Sequence, residues 1–544
     1  MSDERADDAG IVERFALPAV LTAVGFGLRL AEMRDYWISA DEGLRHFIAR
    51  APIAEAVELV LANAHPPLFA ALLRLLAPLG DGIFWLRTPS LVCGTLAIPV
   101  VYAAGRRLAG PVAGGIAAAL LAFSPAAISM SQVARPYGLQ LLLVSGVIAT
   151  WLRAIDRRRA RDLWVYSALA TAALLAHYGS LIAIAATLAG FAAERVRTGA
   201  FSFPARDLAK AQLPVFAVLA LLFAVHIGPR LWGSPLRVDA VETWLAPYFG
   251  ATAGGLWRNA LGVFAYLAGP ALGGTCALSF AIAWGIGARD GGSAARAAWL
   301  CAAAFAVGML LSATSLYPFG GTRHVTVLAP FVCLVAGVGV QRLVARGPLT
   351  VAAGTAVLTL WALFGAPIER ALAMPRRGAA TYPELQIARE EGEWARAQLE
   401  ALSGTPGVLV TDRSTAFTLA PVFGDALAEA KPLGAGEVDA FTWGQRDVRM
   451  VGRWLLRVGP DAHPREAHLE TALEAAPIAV GTEVSVLVSQ GREIVSGFAA
   501  LTRGGSSQRA GVLGIEGKGH FQRLEIDPAR YRAAIASARR LEGR

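Results

Sequence analysis

From residue 163 to residue 193 the chain reads LWVYSALATAALLAHYGSLIAIAATLAGFAA, thirty-one residues without one Asp, Glu, Lys or Arg. A helix needs about 20 apolar residues to cross the hydrocarbon core of a bilayer. The stretch is long for one span and short for two, and His177-Tyr178-Gly179-Ser180 at its middle supplies the best turn. Further uncharged runs lie at 88–105, 108–134, 136–152, 211–229, 259–288, 297–322 and 347–368. The composition agrees: 55% of residues are hydrophobic and 17% charged, and the mean hydropathy is +0.48. A soluble globular chain carries about 25% charged residues, so that class is excluded. A β-barrel is excluded too, because its strands alternate polar and apolar over about 10 residues. The expected fold is an α-helical polytopic membrane protein.

The net charge of +9 does not point to nucleic acid. Residues 367–544 hold 22 Lys+Arg against 22 Asp+Glu, and residues 1–366 hold 28 against 19. The excess lies among the spans, which is the footprint of membrane topology. Cys93, Cys276, Cys301 and Cys333 all fall in apolar segments, so neither a disulfide framework nor a zinc site is encoded.

Loops of two kinds separate the runs. Segments 106–111, 153–162, 194–210, 288–296 and 341–348 carry 15 Lys+Arg in 50 residues; segments 29–88, 124–137, 230–258 and 315–324 carry 11 in 113. The basic set is expected in the cytoplasm. Alternating the two kinds gives eleven helices, at 15–31, 87–105, 112–129, 137–152, 163–177, 178–193, 211–229, 259–287, 297–314, 325–341 and 349–366. The N-terminal residues 1–14 are then inside, and a tail from 367 to 544 is outside. The start (Asp3, Glu4, Asp7, Asp8) lacks the basic region of a cleavable signal, so the first helix is read as an anchor. Within the first outer loop, 32–86, the segments 42–50, 52–64 and 65–79 read as amphipathic helices lying on the outer surface. The tail mixes a helical stretch at 384–402 with strand-like runs at 408–411 and 484–488, the pattern of one small α/β domain.

Ionisable and aromatic residues gather in the outer loops: Asp41 and Glu42, His65 before two prolines, Arg87, then Gln132, Arg135 and Tyr137, then His177 and Tyr178, and finally Arg323 and His324. Each has an ordinary structural reading. Ser39 to Glu42 spells a capping box, His65-Pro66-Pro67 suits a helix start, and Arg135 or Arg323 suits an interfacial anchor. Together they put an acid, arginines and histidines on one face, as neutralising a phosphate beside a carboxylate base requires.

The order of these pieces resembles that of polytopic lipid-linked sugar transferases of the GT-C superfamily, namely the dolichyl-phosphate-mannose protein mannosyltransferases (glycosyltransferase family 39) and the bacterial aminoarabinose transferase. The residues that carry it are Leu28-Arg29-Leu30 with Trp37 and Asp41-Glu42; His65-Pro66-Pro67-Leu68; Leu86-Arg87-Thr88-Pro89-Ser90; Gly105-Arg106-Arg107-Leu108; Ser124-Pro125 with Ser131 to Tyr137; His177-Tyr178; and Arg323-His324 with Pro330. It spans about residues 15–340. Val133 stands where that loop often has a glutamate, and His324 where a tyrosine is usual.

The resemblance implies sugar transfer at the extracytoplasmic face of a bacterial inner membrane, from a polyprenyl-phosphate donor to a lipid, glycan or protein acceptor. Asp41 would be the general base, with Glu42 beside it. Arg87, Arg135 or Arg323 would hold the phosphate. His65, Gln132, Tyr137, His177, Tyr178 and His324 would line the substrate. A divalent metal stays open in the family, but Val133 counts against a two-carboxylate metal site. Neither a P-loop nor a Rossmann fingerprint is present, so no nucleotide sugar is expected. Two other classes fit many spans with charge, a lipid or polysaccharide transporter and an inactive assembly subunit. Against the first, this chain's pattern lacks the paired broken helices in two matching halves that mark inverted repeats, and its charge gathers on one face instead of at the midplane; Val133 keeps the second open.

Overall fold

The computed structural model describes residues 15–31, 33–63, 65–80, 82–198, 203–231, 245–250, 252–268, 280–281, 284–285, 288–289, 292–345, 347, 387–433, 437–451, 455–457, 466–489 and 512–541. In chain order the helices are α1 (Leu17–Ala31), α2 (Ala40–Arg50), α3 (Ile53–Ala62), α4 (Leu68–Leu76), α5 (Ile83–Ala109), α6 (Pro111–Phe123), α7 (Pro125–Ser131), α8 (Tyr137–Arg157), α9 (Ala160–Ala176), α10 (Ser180–Thr198), α11 (Ala205–Leu222), α12 (Gly228–Leu231), α13 (Ala253–Ala268), α14 (Gly292–Ala313) and α15 (Ala329–Val344). A mixed α/β region follows, with α16 (Arg389–Ser403), β1 (Gly407–Asp412), α17 (Arg413–Thr418), α18 (Ala420–Phe423), β2 (Lys431–Pro432), β3 (Val438–Trp443), β4 (Arg446–Val451), β5 (Leu455–Arg457), β6 (Glu466–His468), α19 (Leu469–Glu474), β7 (Val484–Val488), β8 (Val512–Lys518), β9 (Phe521–Ile526) and α20 (Pro528–Leu541). The chain forms two compact units: Met1–Met33, Val57–Leu72 and Arg87–Pro383 make one; Arg34–Ala56, Leu73–Leu86 and Glu384–Arg544 make the other.

The first unit is helical, with α8 packed on α9, α6 on α15, and α10 on α14. The long uncharged run at 163–193 is two helices, α9 and α10, broken at His177-Tyr178-Gly179 as its composition suggests. Five described helices are long and apolar enough to span a membrane, or six if one bent pair counts as a span. The sequence reading had eleven. Some of the difference is length: α1 has 15 residues and α9 has 17, so at about 1.5 Å per residue both fall short of a hydrocarbon core of about 30 Å. The expected helix 349–366 lies outside the described residues, as does residue 1–14. Of 259–287, the described helix ends at Ala268.

The segment 112–129, expected as one helix, is the bent pair α6–α7, angled by 58°. Pro125 lacks an N–H and its ring displaces the carbonyl four residues back, that of Leu121. Arg29 of α1 takes up the released carbonyls. Its guanidinium donates to Leu121 O at 3.1 Å and Ala122 O at 3.1 Å, and to Ser131 Oγ at 3.3 Å. Ser124 caps the new helix by accepting from Ala127 N–H at 3.3 Å. The bend delivers Gln132, Arg135 and Tyr137 to one end of the unit. Arg29→Met should leave two buried carbonyls unpaired and lower stability by about 2–4 kcal/mol, with lysine restoring part of it. Thermal unfolding of the detergent-solubilised protein measures this, and an unchanged midpoint would remove Arg29 from the bend.

At the opposite end of α8, Asp156 bridges Arg107 of α5 at 2.7 Å and Arg296 of α14 at 2.8 Å, and Arg296 reaches Glu194 of α10 at 3.0 Å. Four helix ends that flank basic loops are thereby gathered at one end. α8 has 21 residues, a length of about 30 Å, so its two ends stand one bilayer core apart.

The second unit is an α/β domain around a seven-stranded sheet in the order β2-β3-β4-β1-β7-β9-β8. Its centre is parallel (β4-β1-β7) and its flanks antiparallel. Val408, Val410, Val484, Val486, Leu524 and Ile526 point to one face, where Leu469, Leu473, Tyr531 and Ile535 of α19 and α20 cover them. This unit also takes in part of the loop 32–86. α2 was read as an amphipathic helix on the membrane surface; instead Glu42 to Ala49 are all buried. An 11-residue helix finds its stability in packing, not in propensity, and here the C-terminal domain supplies the packing.

Candidate functional site

The end of the helical unit opposite the Asp156 network holds most of the polar residues singled out above. His65 precedes α4, Tyr137 opens α8, His177 and Tyr178 make the turn between α9 and α10, and Arg323 and His324 begin a 3-10 turn (Arg323–Leu328) leading into α15. Four separate segments converge. The His65 ring lies 5.3 Å from that of His177 and 6.4 Å from that of Tyr137, and Tyr137 lies 5.0 Å from His177. Tyr317 joins the group, 6.3 Å from His177 and 5.7 Å from His324.

Hydrogen bonds select the tautomer of the neutral His177 ring. Its Nδ1 accepts from the main-chain N–H of Gly179 at 3.0 Å and sits 3.2 Å from Nε2 of Gln140. Two N–H donors aimed at Nδ1 leave it unprotonated, so the neutral ring carries its proton on Nε2 and acts as a donor. Gly179 is required at this turn because a Cβ there would overlap the Tyr317 hydroxyl and come within 3.0 Å of Gln140 Nε2. The Tyr317 hydroxyl donates to the His324 carbonyl at 3.0 Å. Burial pushes the Tyr317 phenol well above its usual range, and the nearby Tyr137 adds to this against the opposing charge of Arg323. Tyr317 is a neutral donor across the physiological range.

Tyr178 points to a second histidine, His226, in a π-type turn after α11. Nε2 of His226 lies 3.0 Å from the Val60 carbonyl. The neutral ring therefore donates through Nε2 and accepts the Tyr178 proton at Nδ1.

Arg135 is buried in the protein and does not stand out toward lipid headgroups as an anchor would. It is 2% exposed, with its guanidinium 5.8 Å from the Tyr137 ring centroid, a cation–π distance. Arg87 is fully buried and donates to the Met33 carbonyl at 2.7 Å. Gln132, also buried, reaches the Leu28 carbonyl at 3.5 Å. Arg323 and His324 are half-buried. His65, Tyr137, His177, Arg135, Arg323 and His324 thus come together, whereas Arg87 and Gln132 are tied to the main chain around α1.

Asp41 and Glu42 belong to the other unit. The capping box forms as its spelling indicates: Glu42 N–H reaches Ser39 Oγ at 3.4 Å, and Ser39 N–H donates to Glu42 Oε2 at 3.0 Å. Glu42 is fully buried in this role, and Asp41 beside it is half-buried. Among the described residues, no group of three or more His, Cys, Asp or Glu is arranged to hold a metal ion.

Sequence reading missed Tyr317, Gln140 and His226. His226 lies in an apolar run and Gln140 one turn into α8, where neither carries a motif; Tyr317 had only its place in an outer loop to mark it.

Fold and site define a polytopic helical membrane protein with a polar, histidine-rich cluster at one end and an α/β domain after the spans. Residues 64–227 match the family model described as dolichyl-phosphate-mannose-protein mannosyltransferase. This stretch includes His65, Arg87, Arg135, Tyr137, His177 and His226, and the match bears out the resemblance to GT-C transferases drawn from short motifs. No curated protein sequence matches the chain. Solved structures similar to it include the Archaeoglobus fulgidus oligosaccharyltransferase complex with zinc and sulfate, at 14% identity over 75% of this chain and 61% of that one, TM-score 0.48. Another is archaeal oligosaccharyltransferase AglB from Archaeoglobus fulgidus with an inhibitory peptide and a dolichol-phosphate, at 13% identity over 75% and 63%, TM-score 0.46. The chain thus spans 61–63% of the length of these structures.

Proposed function

We propose that the protein is a membrane glycosyltransferase that moves a sugar from a polyprenyl-phosphate donor to an acceptor hydroxyl at the extracytoplasmic face. The observation that carries this reading is the cluster of Arg135, Arg323, Tyr137, His65, His177 and Tyr317 at one membrane end, within and beside the stretch that matches the mannosyltransferase family. Arg135 and Arg323 would hold the donor phosphate. The Nε2–H of His177 and the phenols would donate to sugar hydroxyls or phosphate oxygens. Asp41 would take the acceptor proton as the hydroxyl attacks the anomeric carbon, and a single displacement inverts that centre. The leaving group is already an anionic phosphate, so positive charge serves it better than an acid. Mass analysis of lipid-linked sugars and envelope glycans with and without the protein tests this. Loss of one glycan modification with accumulation of its polyprenyl-phosphate sugar is expected; identical profiles would overturn the reading.

The same reading puts the tail outside and the loop 153–162, beside the Asp156 network, inside. Single cysteines in the two regions, labelled in intact cells with an impermeant thiol reagent, should react in 387–541 and stay silent at Arg158 or Arg159. The reverse pattern would turn the whole map over.

A further inference from the structure

Asp41 stands on a helix that the C-terminal domain holds. Gly43 lies so close to the Phe417 carbonyl of α17 that a Cβ would overlap it, and Phe47 packs on the Phe417 ring with centroids 6.0 Å apart. Just before α2, the Trp37 indole donates to the Thr418 carbonyl at 2.8 Å. Its main-chain N–H reaches Ile387 O at 2.9 Å, and Arg389 N–H reaches Asp35 O at 2.8 Å. At the other end of α2, Arg74 takes the Ala51 carbonyl at 2.6 Å and that of Ile48 at 3.4 Å. α17 is itself fixed to the sheet. Asp412 at the end of β1 caps it through Thr415 N–H at 2.7 Å, and Thr415 Oγ1 accepts from Ser489 N–H, just beyond β7, at 2.7 Å. Rigid contacts run unbroken from the central strands to the helix that carries the acid.

We propose that the C-terminal α/β domain is a positioning element of the transfer machinery, with Trp37, Gly43, Phe417 and Thr418 setting the place of the Asp41 carboxylate. This rests on Asp41 being the base. A catalytic group displaced by about 1 Å loses about 100-fold in rate, so the α2–α17 contact should govern turnover while leaving donor affinity alone.

The test uses the full chain in lipid nanodiscs, with two readouts on Phe417→Ala, Phe417→Leu, Gly43→Ala and, as a control on the fully exposed Val480, Val480→Ser. Amide exchange over 40–50 reports docking. Turnover of the polyprenyl-phosphate-sugar fraction extracted from the source membranes reports catalysis. Phe417→Ala and Gly43→Ala should speed exchange over 40–50 by about 10-fold or more, with 137–157 unaffected. They should lower kcat by about 10–100-fold with the donor KM within about twofold. Phe417→Leu should recover most of the rate, and Val480→Ser should match wild type. Unchanged exchange in Phe417→Ala would overturn the docking. Faster exchange with unchanged kcat would overturn the positioning role. Failure of the underlying reading looks different: Asp41→Asn as fast as wild type removes the base and this proposal with it.

Discussion

Asp41→Asn should lower the transfer rate by at least about 100-fold and leave donor binding nearly intact, since general-base help is worth about 10²–10⁴-fold. Asparagine keeps the shape and hydrogen-bonding capacity of aspartate but takes no proton at neutral pH. The neighbouring Glu42 supplies the internal control. Its carboxylate closes the capping box with Ser39, and Glu42→Gln retains an acceptor for the Ser39 N–H, so it should lose little activity. A large loss at Glu42 with a normal Asp41→Asn would exchange the two roles. If the purified wild type transfers no sugar at all, a transporter becomes the better account of the same spans.

Arg135→Ala and Arg323→Ala should each weaken binding of a polyprenyl-phosphate sugar by about 1.5–3 kcal/mol, the scale of a hydrogen bond to a charged group. That is roughly 10–150-fold in affinity. Lysine should rescue only in part, because it offers a point charge without the planar fork. The two variants should differ in stability. Arg135 is buried against Tyr137, so its removal also loosens the start of α8, whereas half-buried Arg323 should change binding with little effect on the thermal midpoint. Titration with a polyprenyl phosphate, with thermal unfolding alongside, separates the two effects. Unchanged affinity in both variants would take them out of the site.

Much of this molecule could be read from the chain. Apolar runs of bilayer length, the Lys and Arg bias of alternate loops, the turn at His177-Tyr178-Gly179 and the Ser39–Glu42 capping box are all local. Each depends on residues within a few positions of one another, which is where propensity and periodicity act. The polar candidates were legible too, because charge at a membrane boundary stands out against its surroundings. Other features depended on partners distant in sequence. The bend at Ser124-Pro125 needed Arg29, about a hundred residues earlier, to receive the carbonyls that proline releases. Gln140, Tyr317 and His226 gained meaning only when four segments met around His177 and Tyr178.

The placement of α2 shows the division most sharply. Its sequence determined a capped, amphipathic helix with Asp41 in the first turn, and the amphipathic pattern said that one face is covered. Lipid and protein cover an apolar face equally well by that criterion, since burial is non-directional. Only the tertiary structure decided for protein, because the fit of Gly43 beneath the Phe417 carbonyl and of Trp37 against Thr418 is a matter of shape between segments some 370 residues apart.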